Sequence, residues 1–222
     1  MALRLPAPQP LAIAVAAAVP TTLWIADGVV MRRRLAAARR DPLTGLLARD
    51  GYTRAATQLV ARHGDHALVV FLDVVDFKAL NDRYGHAAGD RVLAELGARL
   101  AQWAGPRGVA ARLHGDELAA AVRSPVHRRG ARLAQLHRAL HQPVRIDSVL
   151  VDVGVSIGAA SPSDLHTRDL PQLLRGADAA MYEHKRERTG HYRLATPAHA
   201  ATPTVNGRRL GRPGTGPQSL AA

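Results

Sequence analysis

The sequence predicts an α/β sandwich of ferredoxin-like type, a central, mostly antiparallel sheet flanked by helices, preceded by one transmembrane helix. Three observations carry this reading. ALVVFLD, residues 67–73, is an unbroken β-branched and apolar run, as expected of a strand buried on both faces. GVAARL (108–113) and ELAAAV (117–122) read as two strands joined by a very short turn. Helical patterns between and after these strands give the order β-α-ββ-α-β-α.

The chain divides into four parts: a hydrophobic segment (1–31), a basic linker (32–40), a domain (41–194) and a tail (195–222). Within the first, LAIAVAAAVPTTLWIADGVV (11–30) is long enough for a bilayer core, which takes about 20 helical residues. Pro20 interrupts it, Asp27 lies near its end, and Trp24 suits an interface. Arg32, Arg33, Arg34, Arg39 and Arg40 follow, and such a cluster stays on the cytoplasmic side. The expectation is a single-pass protein of the cell membrane with a cytoplasmic domain. A soluble helix and a cleaved signal peptide are the competing readings, the latter weakened because only Arg4 precedes the apolar run.

In the domain, DPLTG begins a helix over about 46–63. After the 67–73 strand comes a loop with Asn81, Gly85 and Gly89. DRVLAELGARLAQWA (90–104) is helical, with Val92, Leu93, Leu96, Leu100 and Trp103 on one side. Residues 126–142 show helical spacing at Leu133, Leu136 and Leu140. VLVDVGVSIGAA (149–160) alternates like one strand, DLPQLLRGADAAMYEHKRE (169–187) is an amphipathic helix, and 191–194 adds an edge strand. The tail is rich in Pro, Gly, Thr and Ala without an apolar period, so it is expected to be disordered.

Composition excludes several functions. The chain has no cysteine, which rules out disulfides, zinc–thiolate sites and thiol nucleophiles. A net charge of +12 invites a nucleic-acid partner. Five of those charges lie in residues 32–40 and three in the tail, which leaves four for residues 41–194. With aromatics at 4%, there are also few platforms for stacking bases, so no nucleic acid is expected as partner.

Asp73 ends the buried strand, and Asp116 and Glu117 open a strand beyond the hairpin turn. If these strands are neighbours, the acids converge at one end of the sheet. Hard cations such as Mg²⁺ take oxygen ligands and phosphates, and assist phosphoryl transfer. The plainer alternative is a strand cap and two solvated turn acids. Asn81 and Asp90 could read the edge of guanine, the carboxylate accepting from ring N–H groups. Alternatively, Asn81 makes a turn and Asp90 caps the following helix. Lys78 and Lys185 could neutralise phosphates, or be solvated lysines.

The chain resembles the GGDEF-type diguanylate cyclases over about residues 39–194. The matching stretches are DPLTGL (41–46), FLDVVDFKALNDRYGHAAGDRVL (71–93), RLHGDEL (112–118), VSIGAA (155–160) and ADAAMYEHK (177–185), in the family's order and spacing. The resemblance implies a nucleotidyl-cyclase sandwich that condenses two GTP into cyclic di-GMP, releasing pyrophosphate, with Mg²⁺ or Mn²⁺ and a homodimer of catalytic domains. It implies Asp73, the Val74 carbonyl, Asp116 and Glu117 at the metal, with Asp116 and Glu117 catalytic. It implies Asn81, Asp90, Lys78, Lys185, His114 and Gly115 at GTP.

The sequence also departs from the family. Val75 stands where a second acid is usual, and Asp76 follows it. Thr189 stands where an arginine is common, with Arg186 and Arg188 nearby. Residues 105–108 read GPRG, so no product-inhibition site is expected before the hairpin. His114 replaces the first glycine of the hairpin. If the turn needs His114 at positive φ, the cost is roughly 1 kcal/mol, and the imidazole adds bulk beside the phosphates. These departures define the alternative: a degenerate, inactive GGDEF domain that signals through GTP binding or protein contacts.

Overall fold

The computed structural model describes residues 40–187 and 191–201, and the backbone of two short strands at 204–205 and 208–209. The segment expected to cross the membrane, 11–30, lies outside the described residues, as do most of the basic linker, Arg188 and Thr189. Among the described residues no helix is long and apolar enough to cross a membrane.

Helix α1 (Arg49–His63) begins with Asp50 in its first turn and ends with Arg62 and His63, charges that suit the helix dipole. It leads into β1 (Ala67–Val74), which is buried along its whole length. Two helices follow, α2 (Phe77–Tyr84) and α3 (His86–Ala104), then the hairpin β2 (Val109–His114) and β3 (Glu117–Arg123). Next come α4 (Arg129–Leu140), a small hairpin β4 (Val144–Ile146) and β5 (Val149–Val151), and β6 (Val155–Ala160). The chain continues through α5 (Pro162–Leu165), α6 (Leu170–Glu187), β7 (Arg193–Leu194) and α7 (Pro197–Ala200) to a β8 (Thr204–Val205) and β9 (Arg208–Arg209) pair.

The main sheet runs β2-β3-β1-β6-β7, antiparallel except for the last pair. Its first four strands have the ferredoxin-like order, and helices cover both faces. Alternation along β1 explains the two faces. Leu68, Val70, Leu72 and Val74 face Val92, Leu96 and Leu100 of α3 and Leu133 and Leu136 of α4. Val69 and Phe71 face Tyr52 and Val60 of α1 and Leu173 and Met181 of α6. Gly158 lets α6 lie close on β6, since a Cβ there would stand 2.0 Å from the Ala177 carbonyl oxygen.

The structure corrects four expectations. The expected loop around Asn81, Gly85 and Gly89 is a helical hairpin, with Asn81 in α2 and Gly89 inside α3. Asp90 therefore lies within α3 and does not cap it. The expected strand 149–160 is two strands: β5 pairs with β4 outside the main sheet, and the break lies at 152–154. The start of the expected tail is ordered on the domain. Ala195 is buried and donates its N–H to the Ala159 carbonyl at 2.7 Å, while His199 of α7 reaches Glu183 of α6 at 2.7 Å.

Candidate active site

The acids converge because of strand register. Asp73 of β1 stands directly opposite Glu117 of β3. Directly opposed residues share a face, here the one that α6 covers. Asp116 precedes Glu117 in the turn. Asp73 is 6% exposed, and Asp116 and Glu117 are half-buried. Lys185, near the end of α6, donates to Asp73 Oδ1. Burial first, and then the negative charge of Asp73, raise the Asp116 carboxyl above its usual pKa; Glu117 adds to this and Lys185 opposes it.

The hairpin turn settles where the left-handed residue lies. Arg112 pairs with Leu118 and His114 with Glu117, so Leu113 is a bulged extra residue. The left-handed position falls on Gly115, with φ 54°, the first central residue of a two-residue turn. His114 stays in the strand, exposed beside the turn, and carries no left-handed strain. The strain expected there is absent because the bulge moves the turn one residue on.

Two residues with no assigned role in the sequence hold this turn. Arg112 Nε donates to the Gly115 carbonyl at 2.7 Å, and its Nη1 reaches Asp41 Oδ2 at 3.2 Å. Asp41 also accepts from Thr44 N at 2.8 Å and Thr44 Oγ1 at 2.7 Å. Burial alone would raise the Asp41 pKa, but the Thr44 hydrogen bonds and the Arg112 guanidinium bring it below its usual value. The DPLTG stretch is thus bolted to the hairpin. An arginine just before the turn and an aspartate in the opening motif were the available signals, 71 positions apart.

The remaining candidates divide. Val74 pairs with Val155 at the end of β1, beside Asp73. Val75 donates its N–H to the Gly154 carbonyl at 2.8 Å and packs on Gly154, while Asp76 is exposed at φ 51°. Asp76 therefore leads into α2 and does not replace a second buried acid. Asn81 and the residue before Asp90 are in contact across the α2–α3 hairpin. Lys78 and Arg186 are exposed. Of the two candidate lysines, Lys185 is the one brought onto an acid, a partner the sequence did not indicate.

Residues 38–191 match the family model described as diguanylate cyclase, GGDEF domain. The chain belongs to this family. A 19.3 kDa uncharacterised protein from the repSA 5′ region of Streptomyces ambofaciens is 43% identical over 172 residues, 77% of this chain and 92% of that protein. Diguanylate cyclase DgcP of Escherichia coli is 34% identical over 166 residues, 71% of this chain and 48% of DgcP. The chain thus spans about half the length of DgcP. The GGDEF domain of TpbB from Pseudomonas aeruginosa has the same fold, with a TM-score of 0.64 and 32% identity over 72% of this chain and 96% of that one.

Among the described residues, no group of three or more His, Asp or Glu side chains is arranged to hold a metal ion on its own. The donor set still fits a hard cation that arrives with phosphates. Two acids, Asp73 and Asp116, repel one another in a partly desolvated site, and carboxylate oxygens are the ligands Mg²⁺ and Mn²⁺ prefer.

Proposed function

We propose that this GGDEF domain is a diguanylate cyclase, condensing two GTP into cyclic di-GMP with release of pyrophosphate. The observation that carries the reading is the meeting of Asp73, Asp116 and Glu117 at one sheet end, with Lys185 against Asp73. Each of two domains would hold one GTP, so that each 3′-hydroxyl attacks the α-phosphorus of the other nucleotide. A bound Mg²⁺ or Mn²⁺ would stabilise charge on the phosphates. Asp73, Asp116 and the Val74 carbonyl would hold it. Glu117 would assist or take the hydroxyl proton. Lys185 would exchange Asp73 for a phosphate as substrate enters, and Asn81 and Asp90 would hold the base. Lys78, His114 and Gly115, exposed around the site, would meet the phosphates.

The test is incubation of the full chain with GTP and Mn²⁺, followed by chromatography for cyclic di-GMP. Product is expected. None at high protein concentration overturns the enzyme reading and favours the alternative, a domain that binds GTP without turnover. Val75 in the place of a second acid is the observation on that side.

We also propose that residues 11–30 anchor the chain in the cell membrane, with the domain in the cytoplasm, on the strength of their apolar run and the arginines that follow. Release of the chain from membranes by alkaline carbonate would reject the anchor.

A further inference from the structure

The last turns of α6 are held on two sides. On the side of the acids, Lys185 donates to Asp73 Oδ1. On the other stands Arg193 of β7. Its Nε donates to Glu183 Oε2 at 3.0 Å and its Nη1 to Glu187 Oε2 at 3.0 Å. Glu183 also accepts from His199 Nε2 of α7 at 2.7 Å. Glu183 and Glu187 are four residues apart and share one helix face, whereas Lys185, midway between them, projects from the opposite face. Arg193 thus grips the helix from behind the lysine. A guanidinium suits this task, because its planar fork reaches two carboxylates from one position.

The grip is rooted in the sheet. β7 pairs in parallel with β6, with Arg193 beside Gly158. Two residues on, Ala195 is buried and donates its N–H to the Ala159 carbonyl at 2.7 Å. Gly158 is also where α6 lies close on the sheet, since a Cβ there would stand 2.3 Å from the Met181 nitrogen. Beyond Met181, His184 is the one buried residue of α6. The turn that carries Lys185 therefore has little packing to fix its direction.

We propose that Arg193 is a positioning residue for the reaction. By tying Glu183 and Glu187 to β7, it directs the last turn of α6 and keeps Lys185 at Asp73, where the phosphates of GTP would enter. This rests on the reading of Lys185 as a phosphate-holding residue of a cyclase. The role is direction more than stability. The side chains of Arg193, Glu183 and Glu187 are 41%, 37% and 42% exposed, and pairs so exposed contribute little to folding.

A double-mutant cycle on the full chain tests it, with Arg193→Ala, Lys185→Ala and the double variant, and Arg193→Lys as the conservative change. KM for GTP and kcat are measured with Mn²⁺, and stability by denaturant titration without nucleotide. Arg193→Ala should raise KM about fivefold, a fraction of the loss of one charge-assisted hydrogen bond, and should move the denaturation midpoint little. It should change kcat by less than about twofold. With Lys185→Ala present, it should change KM by less than about twofold. Arg193→Lys, which can meet one carboxylate at a time, should fall between Arg193→Ala and the native chain. An equal rise of KM in both backgrounds would show that Arg193 does not act through Lys185 and would overturn the role, as would an unchanged KM. If the native chain makes no cyclic di-GMP, the cyclase reading fails, and the stability cycle alone decides whether Arg193 places Lys185. Lys185→Ala should then lower the midpoint less in the Arg193→Ala background than in the native one, because the Asp73–Lys185 pair is already loosened. Equal shifts would overturn the placement.

Discussion

Two groups of like side chains sit on opposite sides of β6, and burial pushes one member of each, Asp116 and His137, toward neutrality. At the hairpin end, burial and then Asp73 raise Asp116 above the usual carboxylate range. Beside α6 and α4, burial first, and then His141, His191 and His184, bring His137 down to about 4. His137 is settled by becoming neutral, and two of its neighbours serve as acceptors. His184 Nδ1 accepts the Ile157 N–H at 3.0 Å, and His141 Nε2 accepts the Val155 N–H at 3.4 Å. Those donors lie on the edge of β6 beyond the reach of β7, which pairs only with Gly158 and Ala159. Imidazole nitrogens acting as acceptors complete a sheet edge. For Asp116 the proposed reaction calls for the charged form, since a protonated carboxyl would neither hold a cation nor activate a hydroxyl. On that proposal, repulsion only partly offset by Lys185 marks the acids as the reactive group, and relieved repulsion marks the histidines as structural.

The largest effect that could break this comparison is Asp116→Asn. Turnover should fall by roughly 10²–10³-fold or more, as when a charge-stabilising group is removed from a transition state. Without metal, Tm should rise slightly, because the repulsion with Asp73 and Glu117 is gone. Melting and product formation measured on one preparation decide it. A variant that loses activity by melting lower would make Asp116 a structural residue.

Lys185→Ala should act on both properties. It takes a cationic partner from a carboxylate whose side chain is only 8% exposed. The expected loss is roughly 1–3 kcal/mol by denaturant titration, less than for a fully buried pair because Lys185 is 34% exposed. Affinity for GTP should fall as well. Unchanged stability would mean that the Asp73–Lys185 pair does not neutralise the site. Arg112→Ala should cost less, about 1 kcal/mol, because the carboxylate left behind, Asp41, is 18% exposed and keeps its two Thr44 hydrogen bonds. Its turnover should drop more than its stability implies, since the turn carbonyl of Gly115 is released.

The legible parts of this molecule were those fixed by local pattern. The run at 67–73 had to be a central strand, and its neighbours placed Asp73 near Asp116. The α2 helix was hidden because none of its residues is buried and its ends turn on left-handed Asp76 and Gly85, which read as a loop. The break before β6 was hidden because alternation continues through Asp152, Val153 and Gly154 although the pairing changes. His114 misled because its conformation depends on the bulge at Leu113, a property of two strands together. The Arg112–Asp41 pair joins residues distant in sequence, and local pattern does not report such pairs.

The smallest expected effect is on the pH dependence of stability. The folded-state pKa of His137 is about 4, below the usual 6.5. Between those values the unfolded chain binds a proton that the folded chain does not, so stability falls as pH drops from 6.5 toward 4 and levels below that. Its slope is limited to about 1.4 kcal/mol per pH unit for one group. Asp116, raised in the folded state, has the opposite sign and adds stability as pH falls through the carboxylate range. The groups facing His137 are His141 at the end of α4, His184 on α6 and His191 before β7, and all remain in a His137→Gln variant. That variant should lose part of the acid slope, while Asp116→Asn should steepen it. Parallel melting curves for the native chain and His137→Gln from about pH 7 to 5 would show that His137 is not held neutral by folding.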